Sequence, residues 1–141
     1  MKLQKLTYLA YGWWLAYYDD PILSEGPQVW THGPVFKSLY FALRTFGRAP
    51  VTTMQPDGPF GQVLRVDNTD AEVLSLLDWI WGRYGSKSAY YLSDLTHESG
   101  SPWRQVAEEH EFKVPMDTPI PVSIIKEHYR KLATENGLGS N

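Results

Sequence analysis

Residues 2–18, KLQKLTYLAYGWWLAYY, decide the fold. Apolar side chains recur in this stretch at helical spacing, as Leu3, Leu6, Leu9 or Ala10, Trp13 and Tyr17. Other aromatic and apolar side chains occupy the remaining faces, and a helix that is apolar almost all round is either central in a core or covered by a partner. No capping residue precedes the stretch, so coverage by an upstream segment or by another chain is an open alternative to a central position.

Turn residues and apolar periodicity predict five further helices and little sheet. A second helix is expected to start at Gly33-Pro34 and to stop near Gly47, since proline suits a first helical turn. The remaining helices are predicted over residues 69–84, 89–96, 102–110 and 121–136. Short extended pieces are expected at Gln28–Thr31 and Gln62–Val66.

These elements predict a mainly α fold, a compact single-domain helical bundle of about six helices with at most one small β element. The chain has 141 residues, of which 43% are hydrophobic and 14% aromatic, and this length and composition fit one globular domain. Residues 1–136 are assigned to that domain, and residues 137–141 to a frayed C-terminal tail.

Composition excludes several classes of protein. The absence of cysteine excludes a disulfide scaffold, a thiol nucleophile and a Cys-ligated metal. No apolar run is long enough to span a membrane and no signal peptide is recognisable, so a cytoplasmic location is expected. The net charge of −3 shows no basic excess, which argues against nucleic acid as a partner.

No motif in the chain demands catalysis. Phosphate-binding glycine loops and a nucleophile elbow are missing, and the four histidines lack metal-ligand spacing, so we predict no catalytic residue, no cofactor and no metal site. One enzymatic alternative stays open, a hydrolase or nuclease that uses His97 with a nearby carboxylate such as Asp94 or Glu98. A DNA-binding autoregulator is the other alternative.

The aromatic residues favour protein binding, because Trp and Tyr dominate buried contact energy in cores and interfaces. Lys37, Arg44 and Arg48 fall on one helical face, which is either a solvated face or a patch for an acidic partner. The predicted partner-binding residues are Trp14, Tyr18, Trp30, His32, Pro34, Lys37, Arg44 and Arg48.

Three stretches in register resemble the Panacea antitoxin domain, also described as SocA-like or phage GepA-like. They are Met1-Lys2-Leu3-Gln4-Lys5-Leu6 with Tyr8, Ala10, Gly12 and Trp13; Trp30-x-x-Gly33-Pro34-Val35 with Tyr40 and Gly47; and Leu92-Ser93-x-Leu95-Thr96-His97 with Gly100, Pro102 and Trp103. The resemblance extends from residue 1 to about residue 132.

The resemblance implies a small helical antitoxin, of a bacterial or prophage toxin–antitoxin pair, that neutralises a co-encoded toxin by direct binding. It further implies no cofactor, a cognate toxin as partner and, in one type of member, delivery of the toxin to a ClpXP-type protease. The family motif carries over to Lys2, Gln4, Trp30, Gly33, Pro34, Thr96, His97, Pro102 and Trp103, with mainly structural roles. Relatives often carry an additional upstream helix, so either the start is shortened here, or a toxin or a second copy, in a homo-oligomer, covers the apolar first helix.

Overall fold

The computed structural model describes residues 1–44 and 70–136. In chain order, its elements are α1 (Lys2–Tyr17), β1 (Gln28–Trp30), β2 (Gly33–Val35), α2 (Lys37–Leu43), α3 (Ala71–Tyr84), α4 (Ala89–His97), α5 (Pro102–Glu109) and α6 (Val122–Glu135). Over the described residues, six helices and one two-stranded sheet confirm the prediction of a mainly α, single-domain fold. None of these helices combines the length and the apolar character that a membrane span needs.

Helix α1 lies at the centre of the molecule, between α3, α4, α6 and strand β2. Its Trp13 is fully buried, and the indole Nε1 donates a hydrogen bond of 3.0 Å to the hydroxyl of Tyr84. A Cβ added at Gly12 would lie 2.4 Å from the ring of Tyr129, so glycine permits the close approach of α6. The central position is therefore correct for the apolar first helix, and the second copy expected on it stays a prediction.

Side-chain caps start three of the later helices. Asp70 accepts a hydrogen bond from the Val73 amide at α3, and Ser88 accepts one from the Tyr91 amide at α4. At α5 the cap is Ser101, and Pro102 occupies the first turn. Such caps satisfy amides that have no partner inside the helix, which is why the sequence located these starts well.

The prediction that a helix begins at Gly33-Pro34 is wrong. These residues belong to β2, which runs antiparallel to β1 with Val29 opposite Pro34 and Trp30 opposite Gly33. The helix starts only at Lys37. Proline fits this position because β2 is the edge strand of a two-stranded sheet, where its missing N–H is tolerated.

The second edge of the hairpin, on the side of β1, pairs with the chain that leads into α6. The Val29 amide donates to the Thr118 carbonyl over 2.9 Å, and the Ile120 amide donates to the Pro27 carbonyl over 3.0 Å. The hairpin is thereby also held by the segment that leads into α6. The predicted strand Gln62–Val66, the helix stop at Gly47, the basic residue Arg48 and the tail 137–141 lie outside the described residues.

Candidate functional site

Five backbone carbonyls along the hairpin and its exit accept hydrogen bonds from side chains of three helices. The pairs are Trp103 Nε1 to Trp30 O (2.8 Å), His97 Nε2 to Thr31 O (3.3 Å), Ser93 Oγ to His32 O (3.0 Å), Lys5 Nζ to Pro34 O (3.1 Å) and Gln4 Nε2 to Phe36 O (3.0 Å). The Gln4 Oε1 atom also accepts from the Phe36 amide over 2.9 Å. Because each carbonyl is held separately, the hairpin and its turn have one position relative to α1, α4 and α5.

Gly33 is required at the turn for two reasons. Its φ of +116° is a conformation that side-chain-bearing residues rarely adopt. An added Cβ would also lie 3.0 Å from Lys5 Nζ and 3.1 Å from His97 Cε1. The hairpin turn therefore passes directly over Lys5 and His97, with no room for a side chain between them.

Contacts within the junction of α4 and α5 support the hairpin turn. The rings of His97 and Trp103 are 4.2 Å apart, and Arg104 Nε donates to the His97 carbonyl over 2.7 Å. Thr96 is buried, and its hydroxyl bonds to carbonyls of its own helix. Pro102 is fully buried in the same junction. The family-motif residues of this region are thus brought together as a support for the hairpin.

Lys5 is the unusual member of the set, because its side chain is only 1% exposed. Its ammonium donates to one carbonyl, that of Pro34. In the described part of the chain, no ion pair joins Lys5 to a carboxylate. Burial lowers the pKa of this ammonium to about 8, since a charge removed from water is destabilised.

Two cavities flank the hairpin and share Trp30 and Thr31 as a common wall. The larger one, of about 770 Å³, is here called the apolar cavity; Phe41, Phe112 and Met116 line it. These three side chains are well exposed, Met116 by 89%. Exposed apolar side chains gathered around a depression are typical of a protein-binding surface.

The smaller one, of about 530 Å³, is here called the basic cavity. Its charged lining includes Lys5 and Arg44, with Met1 and His32 beside them, and its other walls include Trp30 and Tyr40, whose rings are 4.8 Å apart. No Asp or Glu is among the described residues that line it. The basic cavity therefore presents positive charge beside exposed aromatic surface.

The predicted partner-binding residues separate into different parts of the structure. Trp30, His32 and Arg44 meet at the basic cavity. Lys37 lies instead on the apolar cavity, where its Nζ is paired with Asp117 at 2.9 Å. The predicted common basic face is therefore divided between two cavities, and the charge of Lys37 is matched within the chain. Pro34 is fully buried, with no side-chain surface to offer a partner.

Trp14 and Tyr18 lie away from the hairpin. Their rings stack on each other at 4.2 Å. Trp14 follows Lys5 by nine residues along α1, which places it about 14 Å further along the helix axis at 1.5 Å per residue. Lys2 joins α1 to the end of α3, because its Nζ donates a hydrogen bond to the Gly85 carbonyl. The structure thus brings together only part of the predicted partner set.

The described contacts of His97 are with the α4–α5 junction and with the hairpin turn. Its two ring nitrogens face the carbonyls of Ser93 and Thr31, and its ring packs on Trp103. His97 lines neither cavity. Over residues 1–44 and 70–136, no group of three or more His, Asp or Glu residues is placed to hold a metal. The paired His97 and carboxylate that the hydrolase alternative requires are not found among the described contacts.

Sequence reasoning missed Lys5 and Ser93 as residues of the site. Lys5 carried a usable signal, because it stands three and four residues before Tyr8 and Leu9, on the stripe that α1 buries. A charged residue on a buried stripe requires a special partner or a cavity. Ser93 carried no such signal, since its role depends on a carbonyl 61 residues away in the chain.

One of three comparisons with known proteins found a match. A family model described as antitoxin SocA-like, Panacea domain, matches residues 3–104. The matched region covers α1, the hairpin and α4, and ends in α5 just after Trp103; α6 follows it. Neither a search of curated proteins nor a search of solved structures found a match. Because the match spans well over half of the chain, and includes every side chain that holds the hairpin, the protein belongs to the SocA-like antitoxin family with a Panacea domain.

Proposed function

We propose that the protein neutralises a co-encoded toxin by direct binding, and that the toxin docks on the surface formed by the hairpin turn and the two cavities, here called the hairpin face. Family membership supports the antitoxin role. The observation that carries the location is the fixed hairpin: five carbonyls are held from within, while Thr31 and His32 stay exposed at the turn.

A rigid, partly aromatic surface suits tight binding, because little conformational entropy is lost when the partner arrives. Tyr40, Phe41, Phe112 and Met116 offer exposed apolar surface on both sides of the turn. A standard interface buries on the order of 1,600 Å² in total, with a few aromatic or Arg side chains contributing most of the energy. The hairpin face contains such side chains in Trp30, Tyr40 and Arg44, at the mouth of a preformed cavity.

Neutralisation follows from masking in this proposal: the toxin is held with its working surface covered. Delivery to a ClpXP-type protease is a different use of the same complex. The two are separated by the half-life of the toxin in cells with and without that protease. Masking predicts a toxin that persists in the complex, whereas delivery predicts protease-dependent loss of the toxin.

Co-expression with the neighbouring gene product tests the function. We expect that product to be toxic alone, harmless with this protein, and recovered with it in a stable complex. A product that is harmless alone, together with failure to isolate any complex, overturns the proposed function.

A matched pair of variants tests the location. Tyr40 lines the basic cavity, whereas Tyr90 is 73% exposed and lines neither cavity. We expect Tyr40→Ala to weaken toxin binding at least about tenfold, as loss of an interface aromatic does, and Tyr90→Ala to leave binding unchanged. If instead Tyr90→Ala weakens binding and Tyr40→Ala does not, the toxin docks on another surface.

A further inference from the structure

The basic cavity holds positive charge that the described part of the chain does not match. Lys5 supplies a buried ammonium, and Arg44 supplies an exposed guanidinium. Arg44 packs its guanidinium 5.2 Å from the ring centroid of Phe41, and no described ion pair includes it. By contrast, Lys37, on the other side of the hairpin, has its carboxylate partner in Asp117.

A buried lysine is costly to a fold unless an acid or several acceptors compensate the charge. The Lys5 ammonium has three donors, and a single described carbonyl, that of Pro34, accepts from them. With its pKa at about 8, Lys5 is still mostly protonated at neutral pH. A free donor on a buried cation, at a cavity without acidic residues, is suited to an anionic group from outside.

The other walls of the cavity indicate what carries that anion. Trp30 and Tyr40 are aromatic, and Val35 and Leu43 are aliphatic. An acidic side chain on a peptide matches such a wall, because its methylene groups and its apolar neighbours pack while the carboxylate reaches the cation. The cavity also shares Trp30 and Thr31 with the rest of the hairpin face, so a docked protein would pass directly over it.

We propose that the basic cavity binds an acidic side chain of the toxin, with the Glu or Asp carboxylate placed against Lys5 and Arg44. This inference rests on the proposed function and names the chemistry by which the partner is recognised. The carboxylate takes the free donors of Lys5, and Arg44 closes over it from the exposed side. The toxin segment then continues along the hairpin turn toward the apolar cavity.

Affinity measurements with the co-encoded toxin test this inference. We expect Lys5→Met, which keeps length and apolar volume, to weaken binding by about tenfold or more, as loss of one partner of a buried charge pair does. Arg44→Gln, at an exposed position, is expected to cost a few fold. Lys87→Gln is the matched control, because Lys87 lies over the Tyr91 ring and lines neither cavity; it should leave the affinity unchanged.

The dependence of affinity on pH separates the contribution of the Lys5 charge from that of the Lys5 side-chain shape. Between pH 7 and pH 9 the Lys5 side chain of the unbound protein changes from mostly protonated to mostly neutral. We therefore expect wild-type binding to weaken about tenfold and Lys5→Met binding to change little. The charged and titratable groups around Lys5 are the Met1 amine on its own helix, His97 on α4, His32 on the hairpin and Arg44 on α2. All of these remain in the variant, and the Met1 amine, whose pKa Lys5 helps to lower, is acetylated in both proteins, so that the difference between the two proteins reports Lys5.

A probe that needs no toxin keeps the two proposals distinguishable. In protein labelled with ¹³C at lysine Cε, titration with N-acetyl-glutamate amide should shift the Lys5 signal and raise its pKa, and the glutamine analogue should do neither. Equal effects of both probes, or no effect, overturn the site. Tighter binding of inorganic phosphate than of the carboxylate overturns the choice of an acidic side chain.

The outcomes with the toxin are equally separate. A wild-type complex whose affinity is unchanged by both Lys5→Met and Arg44→Gln overturns this inference and leaves the antitoxin role intact. Failure of the wild-type protein to bind the toxin overturns the proposed function, and the glutamate probe still decides whether the cavity accepts a carboxylate.

Discussion

The buried position of Lys5 predicts an unusual dependence of stability on pH. The pKa of this ammonium is about 8 in the folded protein and near 10.5 in an unfolded chain. Below pH 8 the lysine is protonated in both states, so the full cost of burying its charge is present. Above pH 8 the folded protein sheds the proton first, and its free energy of unfolding rises until the unfolded lysine also deprotonates.

The magnitude follows from these two pKa values. Between pH 7 and pH 9 linkage gives an increase in the free energy of unfolding of about 1 kcal/mol, from a total cost at neutral pH of about 3 kcal/mol. Burial also raises the pKa of Tyr8 and Tyr129, but this destabilises the folded protein only as the tyrosines of the unfolded chain ionise near pH 10. The Met1 amine, whose pKa burial lowers from 8.0, adds to the increase in the same interval, so the part of the increase that Lys5→Met removes reports the lysine.

Urea denaturation at the two pH values measures the effect, with Lys5→Met as the control. The variant loses the bond to the Pro34 carbonyl, worth about 1 kcal/mol, and also loses the cost of the buried charge. We expect it to equal or exceed the wild type in stability at pH 7 and to show a much smaller increase at pH 9, to which only the Met1 amine still contributes. A wild-type stability that is flat or falls over this interval, or an equal increase in the variant, refutes the reasoning.

Two glycine pairs test the packing of the hairpin and of α1 by thermal and urea denaturation. Gly33 and Gly100 both have positive φ, but only a Cβ at Gly33 meets neighbouring side chains. Gly33→Ala should therefore lower the free energy of unfolding by about 2–4 kcal/mol, and Gly100→Ala by about 1 kcal/mol. Equal costs would show that the close approach at the turn is unimportant. Gly12 and Gly82 are both helical, and a Cβ at Gly12 would lie 2.4 Å from Tyr129 while one at Gly82 meets nothing within 4 Å. Gly12→Ala should cost about 2 kcal/mol or more, and Gly82→Ala should stabilise by up to about 1 kcal/mol; a tolerated Gly12→Ala contradicts the contact between α1 and α6.

The parts of the fold that sequence predicts well depend on local interactions. Ser88 caps α4 through an amide three residues away, and Asp70 does the same at α3. The apolar spacing of α3 and the first-turn proline of α5 are equally local signals. Six helices could therefore be placed, with α1, α3, α4, α5 and α6 close to their observed bounds.

The hairpin could not be predicted in the same way, because distant contacts decide it. Gly33-Pro34 is a good helix start on local grounds, yet the Pro34 carbonyl is taken by Lys5, 29 residues earlier in the chain. The Trp30 carbonyl is taken by Trp103, 73 residues later. Local propensity for a helix thus competes with tertiary hydrogen bonds that fix an extended edge strand, and the tertiary bonds prevail.

The candidate site, too, could be predicted only in part from the sequence. The aromatic residues, the loop before Gly33-Pro34 and the basic helical face predicted Trp30, His32 and Arg44 as partner-binding residues, and these three meet at one cavity. The same reasoning selected Pro34, which is buried, and Trp14 with Tyr18, which lie at the far end of α1. Residue type alone does not say which aromatic side chains share a surface; that depends on where the hairpin docks.

Side-chain footprinting of the toxin complex tests the central claim most directly. Hydroxyl-radical oxidation reads the exposure of Met116, Tyr40, Tyr90 and Trp81 in one experiment, and all four are exposed in the free protein. Docking on the hairpin face predicts strong protection of Met116 and Tyr40 in the complex, with Tyr90 and Trp81 still reactive. Protection of Tyr90 and Trp81, with Met116 and Tyr40 still oxidised as in the free protein, contradicts it.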